Sequence, residues 1–252
     1  MIMARVLCRW LPKNRLTWAL GLAWAWMPWT LGCQQMASTA INTDGVRLYQ
    51  QGDYQAASQR FMHAMATDPT DPDSYYNLAA THHRLGKLLG RDDDLKQAEN
   101  LYNQCLDRNP DSVECHRALA VLLNETSRPD AAMRLLEGWS ARNPQQADPK
   151  IELARLHEEL GESEKARQRL QEALAFEPNN PRALTALGKL REASGEFQQA
   201  LAVYQRSLQI NRFQPEVLAR VAVLQTTVGN GVTPPPPINN RMVTQPDRPS
   251  RY

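Results

Sequence analysis

The sequence predicts an all-α protein built from repeated helical hairpins, and three observations carry that prediction. One spacing returns five times, first as GDYQAASQRFMHAMATDP (Gly52 to Pro69) and last as GEFQQALAVYQRSLQINR (Gly195 to Arg212). Within each copy, alanine, large and small positions stand four and three residues apart, which marks one face of a helix with 3.6 residues per turn. No stretch shows the sustained period-two alternation of a half-buried strand.

The first copy carries Gly52, Tyr54, Ala57, Phe61, Ala64 and Pro69, and the second Asp93, Leu95, Ala98, Tyr102, Cys105 and Pro110. The third runs Ser127, Pro129, Ala132, Leu136, Trp139, Pro144, and the fourth Gly161, Ser163, Ala166, Leu170, Ala173, Pro178. The fifth has Gly195, Phe197, Ala200, Tyr204 and Ser207, with Arg212 in the place of the proline. The five alanines are 41, 34, 34 and 34 residues apart. Upstream of each turn lies another helical run, marked by Leu78-Ala79, Leu119-Ala120, Leu153-Ala154 and Leu187-Gly188, and Val221-Ala222 begins a last, unpaired copy. Each unit therefore reads as helix, tight turn, helix and a proline-marked break. A hairpin of this kind buries its apolar face only when the next one stacks on it.

This arrangement resembles the tetratricopeptide repeat (TPR) family, whose unit is 34 residues of paired antiparallel helices. The resemblance covers residues 41–228 and implies a right-handed α-solenoid of five repeats closed by a C-terminal capping helix. That helix is expected at about Pro215 to Val228, with Arg220, Gln225, Thr226 and Thr227 facing water. Asp44 stands where other units have leucine or valine, so the first helix is expected to start late, near Thr43. The second unit is seven residues longer through GKLLGRDDDL, Gly86 to Leu95. We expect one or two extra helical turns around Gly90, with Asp92, Asp93 or Asp94 as N-cap.

The first 32 residues hold Arg5, Arg9, Lys13 and Arg15, no acidic residue and five of the six tryptophans. The formal charge of +2 belongs to this leader, and the remainder is about −2. A basic segment followed by an apolar run, Leu16 to Leu31, reads as an export signal over residues 1–32. Leu31, Gly32 and Cys33 resemble the lipobox of bacterial lipoproteins. That resemblance implies cleavage after Gly32, acylation of Cys33 with palmitate-type chains, a short linker over 33–40 and membrane attachment through the lipid. Gln34 after the cysteine implies sorting to the outer membrane, facing the periplasm. An uncleaved signal anchor is the alternative. Residues 229–252, NGVTPPPPINNRMVTQPDRPSRY after Gly229, hold too few apolar side chains to offset ordering, and read as a Pro-rich disordered tail.

No catalytic constellation is legible, so the chain reads as no enzyme, with no cofactor, no small-molecule substrate and no bound metal. No basic cluster suits nucleic acid. The five histidines, His63, His82, His83, His116 and His157, read mainly as packed structural residues. Cys105, Cys115, His116 and His82 are a rival metal or enzymatic cluster, without the short C-x-x-C spacing of zinc sites. A Cys105 to Cys115 disulfide stays open. The RDDDL run lacks the ligand pattern of a calcium loop.

The TPR resemblance implies that first helices line a groove for a protein partner. In this register the groove holds Tyr76, Asn77, His83, Arg84, Arg117, Val121, Asn124, Ile151, Arg155, Glu158, Lys189 and Arg220. The carboxylate clamp of some TPR domains is not matched: its places hold Asn42, Val46, Asn77, Glu114 and Ala118, of which Asn77 alone agrees. The function implied is a membrane-anchored scaffold or adaptor in the bacterial cell envelope, serving pilus or secretion assembly or recruiting cell-wall enzymes. A purely structural spacer is the remaining alternative.

Overall fold

The structure is a computed structural model describing residues 27–229, with side chains from Met36 to Thr226. The expected tail past Gly229, residues 1–26 of the expected signal segment and the Cys33 side chain lie outside the described residues. Among the described residues there are eleven α-helices and no strand. They are α1 (Met27–Gln50), α2 (Tyr54–Thr67), α3 (Pro72–Leu89), α4 (Asp92–Arg108), α5 (Val113–Glu125) and α6 (Pro129–Arg142). They continue as α7 (Ala147–Glu159), α8 (Ser163–Phe176), α9 (Pro181–Ala193), α10 (Phe197–Ile210) and α11 (Pro215–Gly229). No helix of the described residues is long and apolar enough to cross a membrane.

The repeated spacing marks buried positions at every copy. Ala57, Ala98, Ala132, Ala166 and Ala200 are buried, as are Phe61, Tyr102, Leu136, Leu170 and Tyr204. So are Ala64, Cys105, Trp139, Ala173 and Ser207 at the third place. The chain forms two compact units, one up to Ser74 and one from Tyr75 onward.

In the first unit α1 and α2 form a hairpin. Gly52 turns it at φ +84°, and Asp53 caps α2 by accepting from the Ala56 N–H at 3.0 Å. Gly45 lets the Phe61 ring approach so closely that an added Cβ would lie 2.5 Å from it. Two expectations are corrected here. The helix starts at Met27, not near Thr43, and residues 33–40 are helical, not a linker. The run from Gln34 to Thr43 holds no glycine, proline or charge to break a helix, and Ser38 and Asn42 are already buried. Asp44 sits within the helix because Arg47 and Arg60 neutralise it at 2.5 and 2.9 Å.

In the second unit the hairpins are α3/α4, α5/α6, α7/α8 and α9/α10, followed by α11. From α4 onward each helix packs on the next, and the first helices α5, α7 and α9 also touch in series. A small residue recurs where the large side chain of the second helix arrives. Gly188 faces the Tyr204 ring, where an added Cβ would be 2.5 Å away. Turns at Gly161 and Gly195 adopt φ +79° and +78°, while Ser127 takes the same left-handed region at φ +58°.

The seven-residue insertion lengthens both helices around it. α3 has 18 residues and α4 has 17, against 13 and 14 in each of the next three hairpins. Gly90 makes the turn at φ +63°. The N-cap of α4 is Arg91 rather than an aspartate; Asp92, Asp93 and Asp94 fill the first turn, where carboxylates favour the positive end of the helix dipole. Asp94 is drawn away from capping by His82 at 2.8 Å and Arg91 at 2.6 Å.

Cys105 and Cys115 form a disulfide, joining the last turn of α4 to the first turn of α5 across Pro110. Gln225 and Thr226 of α11 are exposed as expected of a cap. Arg220 is not free to face water: it is half-buried and paired with Glu192. The Thr227 side chain lies outside the described residues.

Candidate functional site: the row of first helices

The first helices of the second unit are joined side by side by polar links one repeat apart. Glu125 of α5 receives Lys87 Nζ of α3 at 2.6 Å, and His83 Nε2 lies 2.9 Å from its other oxygen. Burial alone would raise the Glu125 pKa, but hydrogen bonds from His83 and Lys87 outweigh it and hold the carboxyl low. Asn124 of α5 donates to Glu159 of α7 at 3.1 Å.

The centre of the row is Glu152 of α7, whose side chain is 1% exposed. Arg117 of α5 donates to it through Nε and Nη2 at 3.0 and 2.6 Å. Arg182 of α9 donates at 2.6 Å and Arg155 of its own helix at 3.1 Å. Burial opposes ionisation of this carboxyl, yet the charge and hydrogen bonds of Arg117, then the charges of Arg155 and Arg182, bring its pKa to about 2. Arg182 also donates to Asp148, and Arg155 to Glu159. The last link runs from Arg220 of α11 to Glu192 of α9, which also accepts from the Tyr204 hydroxyl at 3.0 Å. Burial and the neighbouring Glu192 push the Tyr204 pKa upward.

This geometry divides the expected groove residues. Tyr76, Asn77 and His83 are buried, as are Val121 and Ile151, so they build the wall instead of facing a partner. A buried polar or aromatic residue on a first helix shares its register with exposed ones, which is why spacing alone did not separate them. Arg84, Arg117, Asn124, Arg155, Lys189 and Arg220 are half-buried, and Glu158 is exposed. Of these, Arg117, Arg155 and Arg220 are committed to Glu152 and Glu192. Although Glu158 as a whole is exposed, desolvation of its carboxyl raises its pKa, with Lys189 acting against the rise. Glu125, Glu152 and Glu192 were not singled out from sequence. The signal was present as charge pairs separated by about one repeat: 35 residues for Arg117 and Glu152, 28 for Glu192 and Arg220.

The rival His/Cys cluster does not assemble. His82 pairs with Asp94, Cys115 is in the disulfide, and His116 stacks on Trp139 at 4.2 Å while its Nδ1 donates to the Ser112 carbonyl at 2.8 Å. Burial lowers the His116 pKa, as for a neutral packed imidazole. His157 lies 2.7 Å from Glu162, and His63 is exposed. Among the described residues no group of three or more His, Cys, Asp or Glu could hold a metal ion.

The stacked helical hairpins of the described residues define a repeat protein of the α-solenoid class. Tetratricopeptide repeat models match residues 91–150 and 127–190, and again 183–214, and a TPR repeat model matches 45–86. The chain belongs to the tetratricopeptide repeat family. Proteins of this family are in general non-enzymatic scaffolds for protein partners.

No curated protein matches the sequence. Among solved structures the chain is similar to TTC0263, a thermophilic TPR protein of Thermus thermophilus. The identity is 26% and the TM-score 0.56, over 75% of this chain and 99% of that one. It is similar in fold to PilF of Pseudomonas aeruginosa, at 18% identity and TM-score 0.51 over 79% and 87% of the two chains. It is likewise similar in fold to PilW, described as a widely conserved type IV pilus biogenesis factor, at 19% identity and TM-score 0.51 over 77% and 87%.

Proposed function

We propose that this protein is a lipid-anchored TPR scaffold of the bacterial cell envelope, attached through Cys33 to the outer membrane and facing the periplasm. Its first helices form the groove that holds a protein partner. The observation that carries the scaffold reading is the row α5, α7, α9, in which each helix is linked to the next, Glu158 is exposed, and Lys189 is half-buried with only a 3.9 Å pairing to Glu216. The anchoring reading draws on Leu31-Gly32-Cys33 and on the Cys105–Cys115 disulfide, which suits an oxidising compartment. The mechanism is placement: a tether raises local concentration at the membrane while the groove selects the partner.

Of the roles open to such a scaffold, assembly of a pilus or secretion apparatus is favoured over recruitment of cell-wall enzymes by the fold likeness to PilW and PilF. A spacer reading predicts that charge reversal in the groove leaves partner capture intact. Lys189 and Glu158 are the positions for that test, since reversing Arg117 or Arg155 would also strip Glu152 of its partners. Anchoring is tested by feeding cells an alkyne-bearing palmitate. Wild-type protein takes up the label in the outer-membrane fraction and Cys33→Ala does not; label-free wild-type protein would refute the anchor.

A further inference from the structure

The first unit brings its fold almost to the cysteine that the proposed function assigns to the lipid. Cys33 lies on α1, and Ser38, five residues on, is already 1% exposed in the packed hairpin. At 1.5 Å per helical residue those positions are about 7 Å apart along the axis. Even a fully extended chain would span only about 17 Å. From Cys33 to Thr43 there is no charged residue, and the first is Asp44. On this uncharged turn Met36 is 79% exposed, and Ala37, Thr39 and Ala40 are also exposed.

We infer that the first unit rests directly on the lipid surface, with the exposed Met36 side of α1 in the headgroup region. The inference rests on the anchoring of Cys33 proposed above. A charge-free helical turn with an exposed methionine enters the headgroup region without desolvating an ionised side chain and buries apolar surface there. The first hairpin is therefore a membrane-facing element, not a free arm of the scaffold.

The test uses full-length acylated protein in vesicles of phosphatidylethanolamine and phosphatidylglycerol. Bimane is attached at Met36→Cys, an exposed site that leaves the hairpin core untouched, and quenching by a headgroup-nitroxide lipid is measured. A second form of the same labelled protein carries a Gly-Ser segment of about twenty residues between Gln34 and Gln35, with a mean span of ~25 Å. Strong quenching in the first form, relieved severalfold in the second, supports the inference. Acylated protein whose label is unquenched overturns it while leaving the anchor in place; quenching that survives the insertion also supports it, since the Met36 side then holds the headgroups without the short tether. Mature protein that carries no lipid by mass removes the anchor and this inference together.

Discussion

Two kinds of residue decide how closely these helices pack. Small positions twelve residues before four of the five repeat alanines match the side chain four after it: Gly45 with Phe61 and Gly188 with Tyr204, but Ala120 with Leu136 and Ala154 with Leu170. In the longer second unit Gly86 stands twelve before Ala98 but faces Leu95 instead. In the other four units glycine goes with rings and alanine with leucines, a volume compensation that was legible in the sequence once the register was known. We expect Gly45→Ala to cost about 1 to 3 kcal/mol by overpacking. Adding Phe61→Leu should recover about 1 kcal/mol of that cost, read as coupling in a urea-denaturation double-mutant cycle. Strict additivity would contradict the pairing. Ser127 holds a left-handed turn that glycine adopts without strain, so Ser127→Gly should raise stability by up to about 1 kcal/mol.

Glu152 is the residue whose environment was least legible, because its three arginines come from three places in the chain. Its folded pKa of about 2 lies below the ordinary 4.5, so its stabilisation is complete above pH 4.5 and is lost as pH falls toward 2. That window is worth about 3 kcal/mol. His116, with a lowered pKa, adds a loss that begins as pH falls below its ordinary 6.5. Urea midpoints against pH should fall more steeply between pH 4.5 and 2 for wild type than for Glu152→Gln, which is itself weakened at neutral pH by about 3 kcal/mol through its orphaned arginines. Equal slopes would show that Glu152 is not the buried anion described here.

At the scale of elements, helix and turn positions were legible because one apolar spacing recurs and each turn has its own residue type. Two elements were not. The start of α1 was obscured by Asp44, which reads as a break until Arg60 of α2 is seen to neutralise it. The α4 cap was obscured because Asp94 is bound by His82 and Arg91, contacts that local sequence does not announce. The disulfide between α4 and α5 closes a loop of 10 residues. Chain entropy then puts its contribution at up to about 3 kcal/mol. The Cys105→Ser, Cys115→Ser double variant should melt lower than wild type, and reduction should lower the wild type alone; a reductant that shifts neither melt would place both thiols outside the fold's stability.

At the scale of the whole molecule, stacking and ion pairing serve different ends. Buried alanines, leucines and rings hold hairpins together, whereas Glu125, Glu152 and Glu192 tie first helix to first helix and consume most of the charge that the sequence pattern offered to a partner. The least committed remainder, exposed Glu158 and half-buried Lys189 with its 3.9 Å pairing to Glu216, is where selection of that partner is expected. The central claim is that the row of first helices, and not the outer second helices, receives it. Photo-crosslinking in cells from positions 158 and 189, against Arg134 and Gln168 on α6 and α8, tests this most directly. The account predicts the same discrete adduct from both row positions and none from the other two; equal capture from all four, or capture from α6 and α8 alone, would contradict it.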